Sequence, residues 1–120
     1  TFFRAKMSTP TPIDIKLLQK KRVLEVTFDD QKHFVFPCEF LRVYSPSAEV
    51  RGHGVGEGVL VTDKENVNII GIDPVGNYAI KLIFDDGHNT GIYSWQYLYD
   101  LGMNQEKYWQ RYKDRLSSTH

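Results

Sequence analysis

The sequence has few of the features that would indicate a function directly. Cys38 is the only cysteine among 120 residues. No disulfide can therefore form within the chain, and no zinc or iron–sulfur motif built from several cysteines is present. Cysteine usage of this kind is typical of a cytoplasmic protein, and we expect that location.

The chain also has no excess of charge and no long apolar run. Lys plus Arg and Asp plus Glu both number 15, which gives a net charge of zero. A neutral chain exerts no long-range attraction on phosphate backbones or anionic lipids. No segment approaches the length of a transmembrane helix, and residues 1–8 are too short and polar for a signal peptide. We therefore expect no nucleic acid and no membrane among the partners.

The length and composition are those of one globular domain. Hydrophobic residues make up 41% of the chain and charged residues 25%, which are ordinary values for a domain with its own core. Two prolines interrupt residues 9–12, so residues 1–12 are expected to be a disordered or vector-derived segment. The domain is predicted to span residues 13–116, with residues 117–120 as a tail.

Hydrophobic periodicity predicts an α+β fold. Alternation of apolar and polar residues predicts strands over residues 13–17, 24–28, 34–36, 66–72, 78–84 and 92–93, with a further short strand over 59–61. Helices are predicted over residues 38–44, 95–101 and 105–116, with Ser94 and Asn104 as N-caps and Gly102 as a C-terminal stop. The predicted architecture is an antiparallel sheet built from hairpins, with helices on one side and a C-terminal helix.

One sequence pattern occurs twice. Phe28-Asp29-Asp30 and Phe84-Asp85-Asp86 each end an alternating strand and precede a turn, a return strand and a helix. His33 and His88 follow the two turns. The pattern predicts two similar hairpin–helix units packed together. The other interpretation is that a favourable hairpin turn is used twice without further similarity.

Histidine is the residue type here that both titrates near neutrality and binds metals well. His53 lies in a glycine-rich loop and His88 follows a hairpin turn, so the two are candidate ligands for zinc or iron, completed by Asp86 or Glu49. Their spacing matches no known signature. The simpler interpretation is two polar residues in polar turns.

Other candidate chemistry is weaker. Cys38, at a predicted helix N-terminus, is either a thiolate of lowered pKa or a small buried apolar residue. The loop with glycines at 52, 54, 56 and 58 is followed by neither a Lys-Ser pair nor a helix, which excludes a phosphate-binding loop. A small enzyme with an unrecognised site would have to use His53, His88, Asp86 and Cys38.

Four segments, in order along the chain, resemble one known family. They are residues 41–49 (LRVYSPSAE), 52–56 (GHGVG), 76–79 (GNYA) and 84–95 (FDDGHNTGIYSW). Over about residues 13–116 the chain is similar to the γ-butyrobetaine hydroxylase-like N-terminal domain, also called DUF971, in its short stand-alone bacterial form.

The resemblance implies a scaffold without the family's metal. In the hydroxylases this domain precedes an iron(II)/2-oxoglutarate dioxygenase domain and holds a structural zinc through three cysteines and one histidine. The resemblance places those ligands at Ser45, Ser47, Val50 and His88. Hydroxyl and methyl groups cannot replace thiolates, so zinc binding of the family's kind is not expected. A similar domain is attached to Mrp-type iron–sulfur cluster carriers, which implies a docking role near iron–sulfur assembly.

We therefore expect a non-enzymatic accessory or protein-interaction domain without a cofactor, whose partner is another protein. Its expected contact face comprises Ser45, Pro46, Ser47, Glu49, Arg51, Gly52, His53 and Gly54. The alternative is an accessory protein that binds zinc or iron through His53 and His88.

Overall fold

The computed structural model describes residues 10–46 and 62–118. These residues form two three-stranded antiparallel sheets, each followed by a helix, and one additional C-terminal helix. Along the chain the elements are β1 (Pro12–Leu18), β2 (Val23–Phe28), β3 (His33–Pro37), α1 (Cys38–Val43), β4 (Ile69–Val75), β5 (Ala79–Phe84), β6 (Ile92–Ser94), α2 (Trp95–Met103) and α3 (Gln105–Ser118). The α+β class and the hairpins are confirmed, with the strands divided between two sheets.

Alternation along the strands sorts the side chains as the sequence predicts. In β2, Leu24, Val26 and Phe28 are buried and their neighbours are partly exposed. In β5, Leu82 and Phe84 are likewise buried. Burying a side chain of this size contributes about 1.5–3 kcal/mol. The buried residues of both sheets and of all three helices form one continuous cluster.

The two hairpin turns have the same hydrogen bonds. In the first, the Gln31 N–H donates to the Phe28 carbonyl and the Phe28 N–H donates to the Lys32 carbonyl, at 2.9 and 2.8 Å. In the second, Gly87 and Phe84 make the equivalent bonds, to the carbonyls of Phe84 and His88. The fourth residue of each turn has a positive φ, as in a three-residue hairpin loop with a bulge.

The similarity extends beyond the turns. Each sheet has a bulge near the start of its first strand, between Pro12 and Asp14 and between Ile69 and Gly71. In each unit, the N–H of the first helix residue donates to the carbonyl of the residue immediately before the middle strand. The chain therefore contains two copies of one β-β-β-α unit, here called the first unit (β1–α1) and the second unit (β4–α2).

Several boundaries differ from the sequence-based prediction. The strand predicted over residues 66–72 runs over Ile69–Val75, and its turn is at Gly76, which has a φ of +56°. Pro74 lies inside β4, an edge strand of the sheet, where a missing N–H is tolerated. The strand predicted over residues 59–61 lies outside the described residues.

Gly102 was predicted to end helix α2, but the helix continues to Met103, and Asn104 is its C-cap. Asn104 was predicted to cap α3, but its side-chain amide donates back to the carbonyl and the carboxylate of Asp100. Ser94 is the predicted N-cap of α2, because its hydroxyl accepts the Tyr97 N–H at 3.1 Å. Within the described residues, no helix is long and apolar enough to cross a membrane.

Candidate functional site

Each hairpin turn contacts the helix of the other unit. Asp86, in the turn of the second unit, accepts a hydrogen bond from Arg42 Nε of α1 at 2.9 Å. Asp30, in the turn of the first unit, accepts one from the Tyr99 hydroxyl of α2 at 2.6 Å. Arg42 and Tyr99 are both the fifth residue of their helices. The two contacts are therefore equivalent and reciprocal.

A second pair of contacts is exchanged in the same way. A Cβ atom on Gly102 would overlap the ring of Phe34, and a Cβ atom on Gly91 would overlap Ser45 Oγ. Phe34 and Gly91 lie four residues before the first residue of α1 and of α2, respectively. Ser45 and Gly102 lie seven residues after those same two starts. We call the contact around Asp30, Phe34, Tyr99 and Gly102 the phenylalanine junction. The histidine junction comprises Arg42, Ser45, Lys64, Asp86, His88 and Gly91.

The phenylalanine junction is filled by aromatic rings. Phe34 makes edge-on contacts with Phe28 and Tyr99, with ring centroids 5.8 Å apart in both cases. Phe28 also packs edge-on against Tyr99, at 5.2 Å. Such packing, together with the Tyr99–Asp30 hydrogen bond, holds the turn to the helix without any buried charge.

The histidine junction contains buried polar groups instead. His88 is 6% exposed and Ser45 is fully buried, and a hydrogen bond of 2.9 Å joins His88 Nε2 to Ser45 Oγ. Ser45 also hydrogen-bonds to the Tyr93 hydroxyl, which donates to the Leu41 carbonyl. Burial raises the pKa of Tyr93 far above its usual range, so this hydroxyl stays protonated.

An ion group lies beside this buried pair. Asp86 Oδ2 accepts from Arg42 Nε at 2.9 Å and from Lys64 Nζ at 2.7 Å, while its Oδ1 accepts the backbone N–H of His88 at 3.2 Å. Desolvation by itself would raise the pKa of Asp86. The hydrogen bonds from Lys64, His88 and Arg42 outweigh it and lower that pKa to about 2.

The Ser45–His88 pair resembles part of a hydrolase dyad in composition, but its burial does not suit catalysis. Ser45 has no accessible surface, so a substrate cannot reach its hydroxyl in this conformation. The contact that Asp86 makes with His88 is to the backbone N–H. The pair is thus placed to join α1 to the second hairpin.

The structure does not bring Cys38 or His33 to this pair. Cys38 is buried, its thiol donates to Asn68 Oδ1 at 3.7 Å, and burial raises its pKa. The small apolar interpretation of Cys38 therefore holds. His33 lies on the outer face of the first sheet, with Thr27 Oγ1 2.7 Å from its Nδ1. In the turn geometry His88 corresponds to Lys32, not to His33 as the sequence pattern suggested.

Most of the expected contact face falls outside the described residues. Ser47, Glu49, Arg51, Gly52, His53 and Gly54 all lie there. Ser45, which was expected at the surface, is buried because Gly91 and His88 pack against it. Pro46 is half-buried.

The residues present do not fit a metal ion of the family's kind. The resemblance assigns two of the four zinc ligand positions to Ser45 and His88, and these side chains do lie within hydrogen-bonding distance. A serine hydroxyl is a poor zinc ligand compared with the thiolate that the resemblance implies at this position. Among the described residues, no group of three or more His, Cys, Asp and Glu side chains could hold a metal ion.

Reasoning from the sequence did not find Arg42, Lys64 and Gly91. Arg42 and Gly91 lie in segments that carry the family resemblance, but those segments assign them no role, and the three residues lie far apart in the sequence. One signal was present, since aligning the two predicted helix starts, Cys38 and Trp95, sets Arg42 against Tyr99 and Gly91 against Phe34. Read that way, the pattern would have indicated that the two junctions differ in polarity.

Comparisons with known proteins gave one family and several similar structures. The profile described as "Gamma-butyrobetaine hydroxylase-like, N-terminal" matches residues 15–99. Two solution NMR structures are similar to this chain, with TM-scores of 0.81 and 0.80 and sequence identities of 57% and 41%. Each alignment covers 93% of this chain, and 83% and 88% of the other chains.

A crystal structure from Acidithiobacillus ferrooxidans is also similar. It is described as a protein of unknown function that belongs to the DUF971 family. Its TM-score is 0.65 at 40% identity, with 77% of this chain and 92% of that chain covered. A comparison with curated proteins gave no match.

Proposed function

We propose that this chain, which belongs to the γ-butyrobetaine hydroxylase-like N-terminal domain family, is a non-enzymatic domain that docks a protein partner at the histidine junction. The family member from A. ferrooxidans is described as a protein of unknown function. The resemblance to family members joined to dioxygenase domains or iron–sulfur carriers makes proteins of those classes the first partners to test.

One observation carries this proposal, namely the contrast between the two junctions. The phenylalanine junction joins a turn to a helix with aromatic rings and one hydroxyl–carboxylate bond. The equivalent histidine junction buries a histidine and a serine and gathers two cations around one carboxylate. Buried polar and ionic groups are a weak source of stability compared with apolar packing. Since the fold is joined without them at one junction, their presence at the other supports a binding role.

The rim of the histidine junction is accessible to a partner. Asn89 and Thr90 are exposed next to His88, and the Lys64 side chain keeps 24% of its surface exposed. These residues lie on loops beside a rigid sheet and helix, where contact residues are frequently found. The buried His88–Ser45 pair would hold this rim in one shape without touching the partner.

The alternative is a metal-binding accessory protein that uses His53 and His88. Its support is that His88 is retained at the position of the family's ligand. Against it, His88 Nε2 already bonds to Ser45, and the side chain is 6% exposed. Metal binding through Nε2 would require that bond to break.

Site-specific photocrosslinking tests the docking proposal. The photoreactive amino acid p-benzoylphenylalanine is placed at Asn89 or Thr90, and at Lys113 on the exposed face of α3 as a control. In a lysate of the source cells, we expect a discrete adduct from Asn89 or Thr90 that Lys113 does not give. No adduct from either position, or the same adducts from Lys113, would exclude docking at this rim.

A further inference from the structure

The two turn aspartates use one oxygen in the same way and the other differently. Asp30 Oδ1 accepts the Lys32 N–H at 3.0 Å, and Asp86 Oδ1 accepts the His88 N–H at 3.2 Å. Both bonds close a turn. The second oxygen of Asp30 receives one neutral hydroxyl, from Tyr99. A neutral donor therefore suffices to tie such a turn to the opposite helix.

The second oxygen of Asp86 receives two cations. Arg42 and Lys64 both donate to Oδ2, so one negative charge faces two positive charges. The neighbouring acidic residues are directed elsewhere. Asp85 accepts the Asn68 N–H. Burial raises the pKa of the Glu39 carboxyl, and the nearby Glu65 carboxylate raises it further. Among residues 10–46 and 62–118, the histidine junction thus has one more positive charge than negative charge.

Arg42 also has donor capacity that the described residues do not use. Its Nε bonds to Asp86, while its Nη1 is buried and has no hydrogen-bond partner among the described residues. A guanidinium group presents a planar fork of donors that matches a carboxylate. Lys64 is the more exposed of the two cations, since 24% of its side-chain surface is exposed, against 12% for Arg42.

We propose that Arg42 and Lys64 bind a carboxylate group from an acidic segment of the partner protein. This inference rests on the proposed docking function and adds the chemistry of the partner. The incoming carboxylate takes a hydrogen bond from the Lys64 ammonium and shares the Arg42 guanidinium with Asp86. Charge-assisted bonds of this kind are about twice as strong as neutral ones.

The test uses an acetylated peptide of glutamate residues as the probe, at low salt, with the full chain observed by ¹⁵N NMR. We expect saturable shifts of the Arg42 side-chain N–H and of the Lys64 and Asp86 amides. Lys64→Gln should weaken the affinity about fivefold, which corresponds to about 1 kcal/mol. Lys113→Gln, which removes an equivalent charge from α3, should change it less than about twofold.

A second variant changes the affinity in the opposite direction. Asp86→Asn keeps an acceptor for the His88 N–H but removes the competing charge. We expect it to bind the glutamate peptide several-fold more tightly than the natural sequence. The NMR spectrum of each variant shows whether the fold is retained.

Three results would overturn the inference. They are the absence of saturable shifts at Arg42 and Lys64, equal losses in Lys64→Gln and Lys113→Gln, or saturation by inorganic phosphate that the glutamate peptide cannot displace. The last result would identify a small free oxyanion as the ligand. If only the charge chemistry is wrong, the photocrosslinks from Asn89 or Thr90 persist in Lys64→Gln. If the docking function is wrong, those crosslinks are absent from the start.

Discussion

At the scale of single residues, two glycines determine how the units approach each other. Gly102 lies against the ring of Phe34 and Gly91 lies against Ser45, each without room for a Cβ atom. Neither position has a positive φ, so the requirement for glycine is steric rather than conformational. A glycine inside helix α2 is otherwise unfavourable, since alanine at such a position is more stable by about 1 kcal/mol.

Gly102→Ala is therefore expected to destabilise the protein despite the better helix propensity of alanine. Overlap with Phe34 should lower the free energy of unfolding by about 1–3 kcal/mol in urea denaturation. In a Phe34→Ala background the same substitution should become neutral or stabilising, because the ring is gone. Gln96→Ala, at an exposed position of α2, serves as the control. Destabilisation by Gly102→Ala in both backgrounds would show that Phe34 is not the cause.

The carboxylate of Asp86 should make stability depend on acid pH. Its folded pKa of about 2 lies below the unfolded value of 3.8, so its contribution is present above pH 3.8 and is lost as the pH falls through about 2. We expect Asp86→Asn to be less stable than the natural sequence by on the order of 1 kcal/mol at neutral pH, because partial exposure screens these charges.

That difference should shrink as the pH falls through about 2 and disappear only well below it, where both side chains are neutral. Urea unfolding of both proteins at several pH values measures it. Asp73→Asn, at an exposed position of β4, controls for general charge effects. A difference that persists unchanged at the lowest pH would contradict the role assigned to the Asp86 charge.

At the scale of secondary-structure elements, the sequence predicted the type of most elements but not all of their ends. Period-2 alternation found β2 and β5 because each has one buried face. The end of α2 was predicted wrongly because a glycine at this position commonly ends a helix. In the structure, Gly102 is instead required by its contact with Phe34. Local sequence cannot distinguish a capping glycine from a packing glycine.

The two equivalent turns allow a reciprocal test at this scale. Gln31 has a φ of +73° and Gly87 has a φ of +92°, in the region that favours glycine. Gln31→Gly should raise the free energy of unfolding by about 0.5–1 kcal/mol, since it relieves backbone strain. Gly87→Gln should lower it by about 1–2 kcal/mol through the backbone alone, because a Cβ atom there would meet nothing within 4 Å.

Urea unfolding of the two variants and the natural sequence measures these changes. Changes of the same sign in both turns would contradict the equivalence of the two units. A control at the preceding position, Asp30→Gly, should be destabilising, because it removes the bonds to Lys32 and Tyr99.

At the scale of the whole molecule, the chain is two related units that share one core. The repeated Phe-Asp-Asp pattern gave the duplication as one of two interpretations, the other being a favourable turn used twice. It did not predict that the turns would contact the opposite helices, because contacts between units leave no periodic trace in the sequence. The separation of six strands into two sheets was missed for the same reason.

The candidate site was predicted only in part. His88 was identified from its chemistry and from the family resemblance, but its partner Ser45 was expected at the surface. The structure places both in the interior, where Ser45 hydrogen-bonds to the histidine. Pairing of this kind depends on the approach of α1 to the second hairpin, a contact between residues 43 positions apart.

The central claim is that the Ser45–His88 pair is a closed hydrogen-bonded support for a docking surface, and not part of a working metal centre. Elemental analysis of protein purified without a histidine tag tests this most directly. We predict zinc and iron well below one ion per chain, with no change in the His88→Ala variant. One tightly held ion per chain that is lost in His88→Ala would contradict the claim.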